Sequence, residues 1–509
     1  MRRFRVLSQW IFGLFFVVLF LNTRYMGEDV IRYPVNAFFR IDPLAGITAM
    51  AAGRRLLDFF WPLILLIPLT VLFGRFFCGW ICPMGAALDL FGRKSRIQTP
   101  RPSGPFYPVK DVLLLALITA SLFAVNLSGM VDPLSLLVRG LAMGVVHPVE
   151  KSIILFFDTA WRIGGPVSAV TEPVYGVLRD HLLSFDLPSF RYTALFLGFL
   201  FLPFFLELKE RRFWCRNLCP LGALLGILSS RALLGLSIGK SSCTACGKCA
   251  GTCRMGAIEG EQERSIRKRD CILCYDCIDS CADELIGHRV PSSLLSEVGP
   301  VFPLSRRAFL GAAGAGLFLP LTIGKTARPD ALPAGVIRPP GAVREDRFAG
   351  LCLRCGECMR VCLTNGLQPT LFEAGMEAVW TPRLVSRIGY CEFSCTLCGQ
   401  VCPTGAIADL DKVTKKNVCI GTAIIDRDRC IPFVRPENCM VCEEHCPTPE
   451  KAIVFDDVTV QGSDGPVIVK RPRVVEHLCI GCGICEYRCP LEGESAVIIV
   501  RDGEDREKT

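Results

Sequence analysis

The chain has 509 residues, 51% of them hydrophobic, a mean hydropathy of +0.39, a net charge of +8 and 29 cysteines. It is too long for one domain and too apolar for an ordinary soluble enzyme, so membrane segments are sought first. The basic residues sit on the flanks of apolar segments and no nucleic-acid-binding motif accompanies them, which removes nucleic acid from the expected partners.

In chain order, stretches 6–21, 61–77, 112–127 and 192–206 have the low charge and approximate length of bilayer helices, and 308–323 adds a fifth. Basic residues set their orientation. Arg2, Arg3 and Arg5 precede the first; Arg93, Lys94, Arg96 and Arg101 separate the second from the third; Lys209, Arg211, Arg212 and Arg216 follow the fourth. All three groups fall on one side of a four-helix arrangement, which makes that side cytoplasmic and outweighs Arg54 and Arg55 opposite.

Two C-x3-C-P elements, Cys78 with Cys82 and Cys215 with Cys219, each follow an inward-running helix and carry a glycine two residues past the proline. Matching depth makes them a four-thiolate site or a redox dithiol pair; interfacial structural cysteines are the alternative. The outer connection 129–191 holds the few polar groups that could serve a quinone: Asp132, Arg139, His147 and His181. Haem is not expected, because C-x-x-C-H is absent and none of the five histidines lies in a span.

Six cysteine runs follow. Cys243, Cys246, Cys249, Cys253 and Cys271, Cys274, Cys277, Cys281 share the spacing C-x2-C-x2-C-x3-C, as do Cys352, Cys355, Cys358, Cys362 and Cys479, Cys482, Cys485, Cys489. Cys391, Cys395, Cys398, Cys402 and Cys430, Cys439, Cys442, Cys446 are stretched at the first interval. Three thiols on a tight loop face one cubane while the fourth, often before proline, reaches a neighbouring cluster; Pro403, Pro447 and Pro490 stand where that pattern puts them. Zinc and disulfide scaffolds do not call for this three-plus-one repeat. Six [4Fe-4S] clusters are the expected cofactors. In the first module the exchange joins Cys243, Cys246, Cys249 to Cys281, and Cys271, Cys274, Cys277 to Cys253. Cys419 is left over as a buried small residue.

Between the modules Ser305, Arg306, Arg307, Phe309 and Leu310 read S-R-R-x-F-L before a Gly/Ala-rich apolar run, as in a twin-arginine export signal; a plain positive-inside pair is the alternative, and either sends the segment outward. Gly311, Gly314 and Gly316 there are packing residues, not a nucleotide loop. A Pro-rich linker covers about 327–343, and no cleavage site is evident after Ile323, so the helix stays as an anchor.

The first 290 residues, with two C-x3-C-P elements framing four helices and a two-cluster ferredoxin, resemble the NapH type of membrane protein and its NosR and MauN relatives. From Ser305 on, S-R-R-A-F-L, R-C-G-E-C and C-T-L-C-G-Q-V-C-P-T-G-A-I resemble the NapG and MauM type of exported ferredoxin. The resemblance implies an inner-membrane fusion protein that passes electrons from the quinone pool to periplasmic clusters and on to a periplasmic redox enzyme or cytochrome; a NosR-like maturation role for the C-x3-C-P thiols is the alternative. For the exported module, resemblance to four-cluster ferredoxin subunits implies nested exchange, first run with fourth and second with third, against a sequential alternative. The expected architecture is an α-helical membrane domain of about four helices plus a fifth anchor or export helix, with α+β ferredoxin-like modules. Its parts are 1–235 (membrane), 236–295 (cytoplasmic two-cluster module), 303–326 (signal-like segment), 327–345 (linker) and 346–509 (periplasmic four-cluster module).

Overall fold

The computed structural model describes residues 1–92, 106–181, 183–184, 189–230, 232–239, 243–260, 264–281, 285–288, 304–323, 333–462 and 465–504. The basic group Arg93 to Arg101, the first part of the linker and the expected uncleaved junction lie outside the described residues. Helix predominates, in a bundle whose two ends each carry a cysteine-rich module.

Helix α1 (Arg2–Asn22) runs from the near end of the bundle to the far end. There Asp42 caps α2 (Pro43–Gly53), its carboxylate accepting from Leu44 N at 2.8 Å. Helix α3 (Leu63–Phe73) returns to the near end and stops at Gly74, whose φ of 90° ends the single helix expected over 61–77. Two short helices follow, α4 (Phe76–Trp80) and α5 (Pro83–Phe91). Helix α6 (Val109–Leu122) climbs again and is turned by Ala124, at φ 65°.

The connection 129–191, expected as an outer connection, contains the longest helix among the described residues. Helix α7 (Pro133–Arg139) continues through a π-helical segment, Gly140–Val145, into α8 (Val146–Ile163), giving 31 residues from Pro133 to Ile163. Charged residues such as Glu150, Lys151, Asp158 and Arg162 break up the apolar pattern there, which hides the span from a scan for uncharged runs. Helix α9 (Gly165–His181) folds back on α8. Helix α10 (Thr193–Leu206) descends, α11 (Pro220–Ser229) follows at the near end, and α12 (Arg306–Ile323) packs on α6. Of the three glycines of α12, Gly316 makes the close approach, 2.6 Å from the Ala116 carbonyl oxygen to an added Cβ; Gly311 and Gly314 face open space. Among the described residues two helices, Arg2–Asn22 and Pro133–Ile163, are long and apolar enough to cross a membrane.

The bundle follows the same course twice. Asp42-Pro43-Leu44 opens α2 and Asp132-Pro133-Leu134 opens α7, each aspartate serving as N-cap. Helices α3 and α10 then descend, and each leads into R-F-x-C-x3-C-P-x-G-A, at 75–86 and at 212–223. The hairpin of α8 and α9 is an insertion in the second copy.

The near-end module is small. Strand β1 (Leu236–Ile238) pairs antiparallel with β4 (Ile286–His288), Ile238 opposite Ile286, and β2 (Ile258–Glu259) pairs with β3 (Ser265–Ile266). In the far-end module β5 (Leu367–Pro369) pairs with β6 (Pro382–Leu384), β7 (Thr422–Ile425) with β10 (Val497–Val500), and β8 (Ile453–Gly462) with β9 (Gly465–Val474). This module starts earlier than expected. Arg338, in the expected linker, is buried against Glu345 (Nε to Oε2, 3.0 Å) and donates to the Pro382 carbonyl at 2.7 Å, so from Val336 the chain is packed structure.

Candidate functional site

The four runs spaced C-x2-C-x2-C-x3-C share one backbone. The residue before the second cysteine has positive φ in each: Ala245 (53°), Leu273 (53°), Arg354 (54°) and Gly481 (70°). So does the residue after it: Gly247 (81°), Tyr275 (62°), Gly356 (84°) and Gly483 (83°). Two left-handed residues at fixed positions curl the loop so that its thiols point inward, at some cost where the residue is not glycine. A short helix then carries the third cysteine: Lys248–Thr252, Asp276–Ser280, Glu357–Arg360 and Ile484–Arg488.

In the far-end module the cysteines surround four small, mainly apolar cavities. One is lined by Cys352, Cys355, Cys358 and Cys402, the next by Cys362, Cys391, Cys395 and Cys398. The third has Cys430, Cys439, Cys442 and Cys489; the fourth has Cys446, Cys479, Cys482 and Cys485. Each is three cysteines of one run plus the last cysteine of another. The exchange is first run with second and third with fourth, which replaces the nested expectation with the sequential one. Continuity of the chain is the reason: the β5–β6 hairpin is the short link between the first two runs and folds them onto each other. The Cys391 N–H donates to the Cys482 carbonyl at 2.8 Å, so the second cavity adjoins the fourth. Cys419 is half-buried, its thiol donating to the carbonyls of Gly421 (3.2 Å) and Cys479 (3.3 Å).

Burial pushes the thiols of Cys395, Cys442 and Cys482 up to about 12, with neighbouring cysteines adding to the shift. In the near-end module burial, then Cys274 and Cys253, push Cys271 up to about 12. Thiols so unwilling to ionise alone suit ligation by iron, whose charge stabilises the thiolate. Among the described residues no group of His, Cys, Asp or Glu is arranged to hold a single bare ion.

Both modules dock through the same loop position. Gly79 lies under the carbonyl of Ile272, the residue after Cys271, and Gly129 under the carbonyl of Leu353, the residue after Cys352; at either glycine a methyl group would collide with that oxygen. At the near end Trp80 Nε1 donates to the Leu273 carbonyl at 3.0 Å, and Asp270 receives Lys110 and Tyr107, both at 2.8 Å. Asp89 receives Arg212 (2.7 Å), Arg254 (2.9 Å) and Arg5 (3.1 Å), tying α1, α5 and the module together. At the far end Asn126 Nδ2 donates to the Gly350 carbonyl at 3.0 Å, and Gln400 Nε2 to that of Asp29 at 2.8 Å.

Of the groups expected to serve a quinone, Asp132 and Arg139 lie together, buried at the far end. Asp132 accepts from Ser135 N at 2.8 Å; Arg139 donates to the carbonyls of Gly129 and Arg354, both at 2.9 Å, and stacks on Trp380 at 4.4 Å. The structure adds Asp42, whose carboxyl neighbours that of Asp132. The repeated Asp-Pro-Leu is the signal in the sequence that points to it. His147 stands apart on the first turn of α8, its Nδ1 buried without a hydrogen-bond partner, and the side chain of His181 lies outside the described residues.

A family model described as 4Fe-4S binding domain matches residues 57–102, 192–240 and 398–418. The ferredoxin-type protein MauM of Methylorubrum extorquens is 34% identical over 171 residues, 33% of this chain and 73% of its own length. NapG of Escherichia coli K12 is 34% identical across 31% of this chain and 67% of its own, and NapH of Haemophilus influenzae is 26% identical across 55% and 84%. No solved structure matches. Cysteine cavities, domain match and relatives agree: the chain belongs to the MauM and NapG family of ferredoxin-type proteins, as a NapH/NapG-like iron–sulfur protein.

Proposed function

We propose that this protein is an inner-membrane electron conduit between the quinol pool and a periplasmic redox enzyme or cytochrome. The observation that carries the reading is the docking of two cysteine modules at opposite ends of one helical bundle, each through a ligand loop seated on a bundle glycine. Helices α1, α3, α10 and α12 expose Trp10, Leu14, Ile64, Leu65, Phe201, Phe205, Leu310 and Phe318, an apolar surface suited to lipid. In this reading the near-end module is cytoplasmic and the far-end module periplasmic, with 303–326 as the export-type segment and anchor between them. The 24 run cysteines would hold six [4Fe-4S] clusters, which would supply one-electron transfer when bound.

The chain's own part is to hold those sites in order. The Cys352–Cys402 site would hold the cluster beside Arg139, and the Cys430–Cys489 site the one near Met440, which is exposed to a partner. Asp132, Asp42 and Arg139 are the candidate polar groups for quinol at the far end. In a NosR-like maintenance role Cys78, Cys82, Cys215 and Cys219 would instead act on a partner, and their burial weighs against it.

The test is anaerobic. The protein is reconstituted in lipid, given a reduced quinol analogue and followed by low-temperature EPR. Reduced-cluster signals are expected; clusters that dithionite reduces and quinol leaves silent would overturn the conduit.

A further inference from the structure

We infer that Cys78, Cys82, Cys215 and Cys219 together hold a seventh iron–sulfur cluster, a [4Fe-4S] centre on the pseudo-twofold axis of the bundle. The inference rests on the iron–sulfur character of the chain and is independent of quinol as donor. The two copies of R-F-x-C-x3-C-P-x-G-A each bring two thiols, and each lies within its own match to the 4Fe-4S domain, at 57–102 and 192–240. Two thiols cannot fill the four corners of a cubane, so either match alone describes half a site.

The tertiary structure joins the halves. Cys82 and Cys219 are the N-caps of α5 and α11, and Cys78 and Cys215 sit one turn earlier in each copy. All four are at most 9% exposed, within one core cluster that includes Phe77, Met84 and Leu221. Each pair lies in the field of the other: Cys82 feels Cys78 and Cys215, and Cys219 feels Cys215, Cys78 and Cys82.

The arginines that open the copies are exchanged between them. Arg212, from the second copy, donates to the carbonyls of Cys78 (3.1 Å) and Gly85 (3.0 Å) in the first. Arg75, from the first, lies against Gly222 in the second, where an added Cβ would stand 2.6 Å from its Nη2. That same nitrogen is 3.8 Å from the Cys78 sulfur. Crossed arginines about four thiols form a twofold cage. A cubane with four thiolate ligands carries about two negative charges, and Arg75 and Arg212 place two buried positive charges beside it. Reactive dithiols would need an approach from solvent, which this cage closes.

Its position gives the centre a role. Arg75 Nη1 donates to the Arg269 carbonyl at 3.2 Å, and the neighbouring Gly79 carries the Ile272 carbonyl between Cys271 and Cys274. The site is thus the step between the near-end module and the interior of the bundle, on the side away from the far-end module.

Native mass spectrometry and iron and sulfide analysis of the anaerobically purified full chain test this. The wild type is expected to carry about 28 irons, seven groups of four. Cys82→Ser and Cys219→Ser, one from each copy, are each expected to lose about four irons and four sulfides, and the double variant to lose no more than either single one. Cys419→Ser, outside every proposed ligand set, should keep the full count. A wild-type count of about 24, a single zinc in place of the four irons, or an additive loss in the double variant would overturn the shared cluster. The wild-type count does not depend on any variant folding, and a count well below 24 would strike at the six-cluster reading instead.

Discussion

Gly129→Ala tests how the far-end module is seated. In the structure an added Cβ at Gly129 meets the backbone of Leu353, with the carbonyl carbon at 2.6 Å and Cα at 3.1 Å. Carbon atoms rest about 3.5 to 4.0 Å apart, so the ligand loop must withdraw by about 1 Å. The obstacle is backbone, with no rotamer to absorb the change, which puts the cost at the upper end of overpacking, about 3 kcal/mol. That is roughly a hundredfold in the ratio of seated to unseated module. Bonds at risk include Asn126 to the Gly350 carbonyl (3.0 Å) and Arg139 to the Arg354 carbonyl (2.9 Å). Hydrogen exchange of the segment around Glu345–Leu351 and Cys352 reads the seating directly, and its protection should fall by a factor approaching that ratio. Gly311→Ala is the internal control, since nothing lies within 4 Å of its added Cβ. Equal protection in the two variants would refute the claim that the glycine contact seats the module.

Cys489→Ser should abolish the EPR signal of the site shared with Cys430, Cys439 and Cys442 and spare the one that includes Cys352; loss of the Cys352 site would restore nested exchange. The near-end dock should respond to acid. Burial pushes the Asp270 carboxyl up, but Lys110, Arg267 and Arg75 outweigh it and hold the group well below the usual range. A depressed carboxylate contributes its full stability above the unfolded value of about 3.9 and loses it as pH falls toward the folded value. Exchange protection of residues 264–281 should therefore be flat from pH 8 to about 5 and drop below about 4. Asp270→Asn should lower it above about pH 4 and flatten the acid limb, where the two proteins converge; a wild-type transition near neutrality would rule Asp270 out as its source.

How much was legible depends on how local the determinant is. Four runs announced their loops, because two left-handed residues at fixed offsets from the cysteines are a short-range steric matter. The stretch 61–77 read as one helix because Gly74 stops it without interrupting the apolar composition. The helix Pro133–Ile163 was missed for the opposite reason, its charges lowering hydropathy on a face that does not span uncharged residues.

The sequence by itself determined that this chain carries six cysteine runs on apolar and α+β frames, since thiol spacing and side-chain hydropathy are properties of neighbouring residues. Only the tertiary structure decided that Cys402 completes the first far-end set and Cys489 the third, and that Cys78, Cys82, Cys215 and Cys219 share one buried core. A fourth thiol at the end of any run can reach several loops with equal ease along the chain. What selects one is packing: the hairpins, the two glycine seats and the crossed arginines, contacts between residues far apart in sequence that no spacing rule encodes.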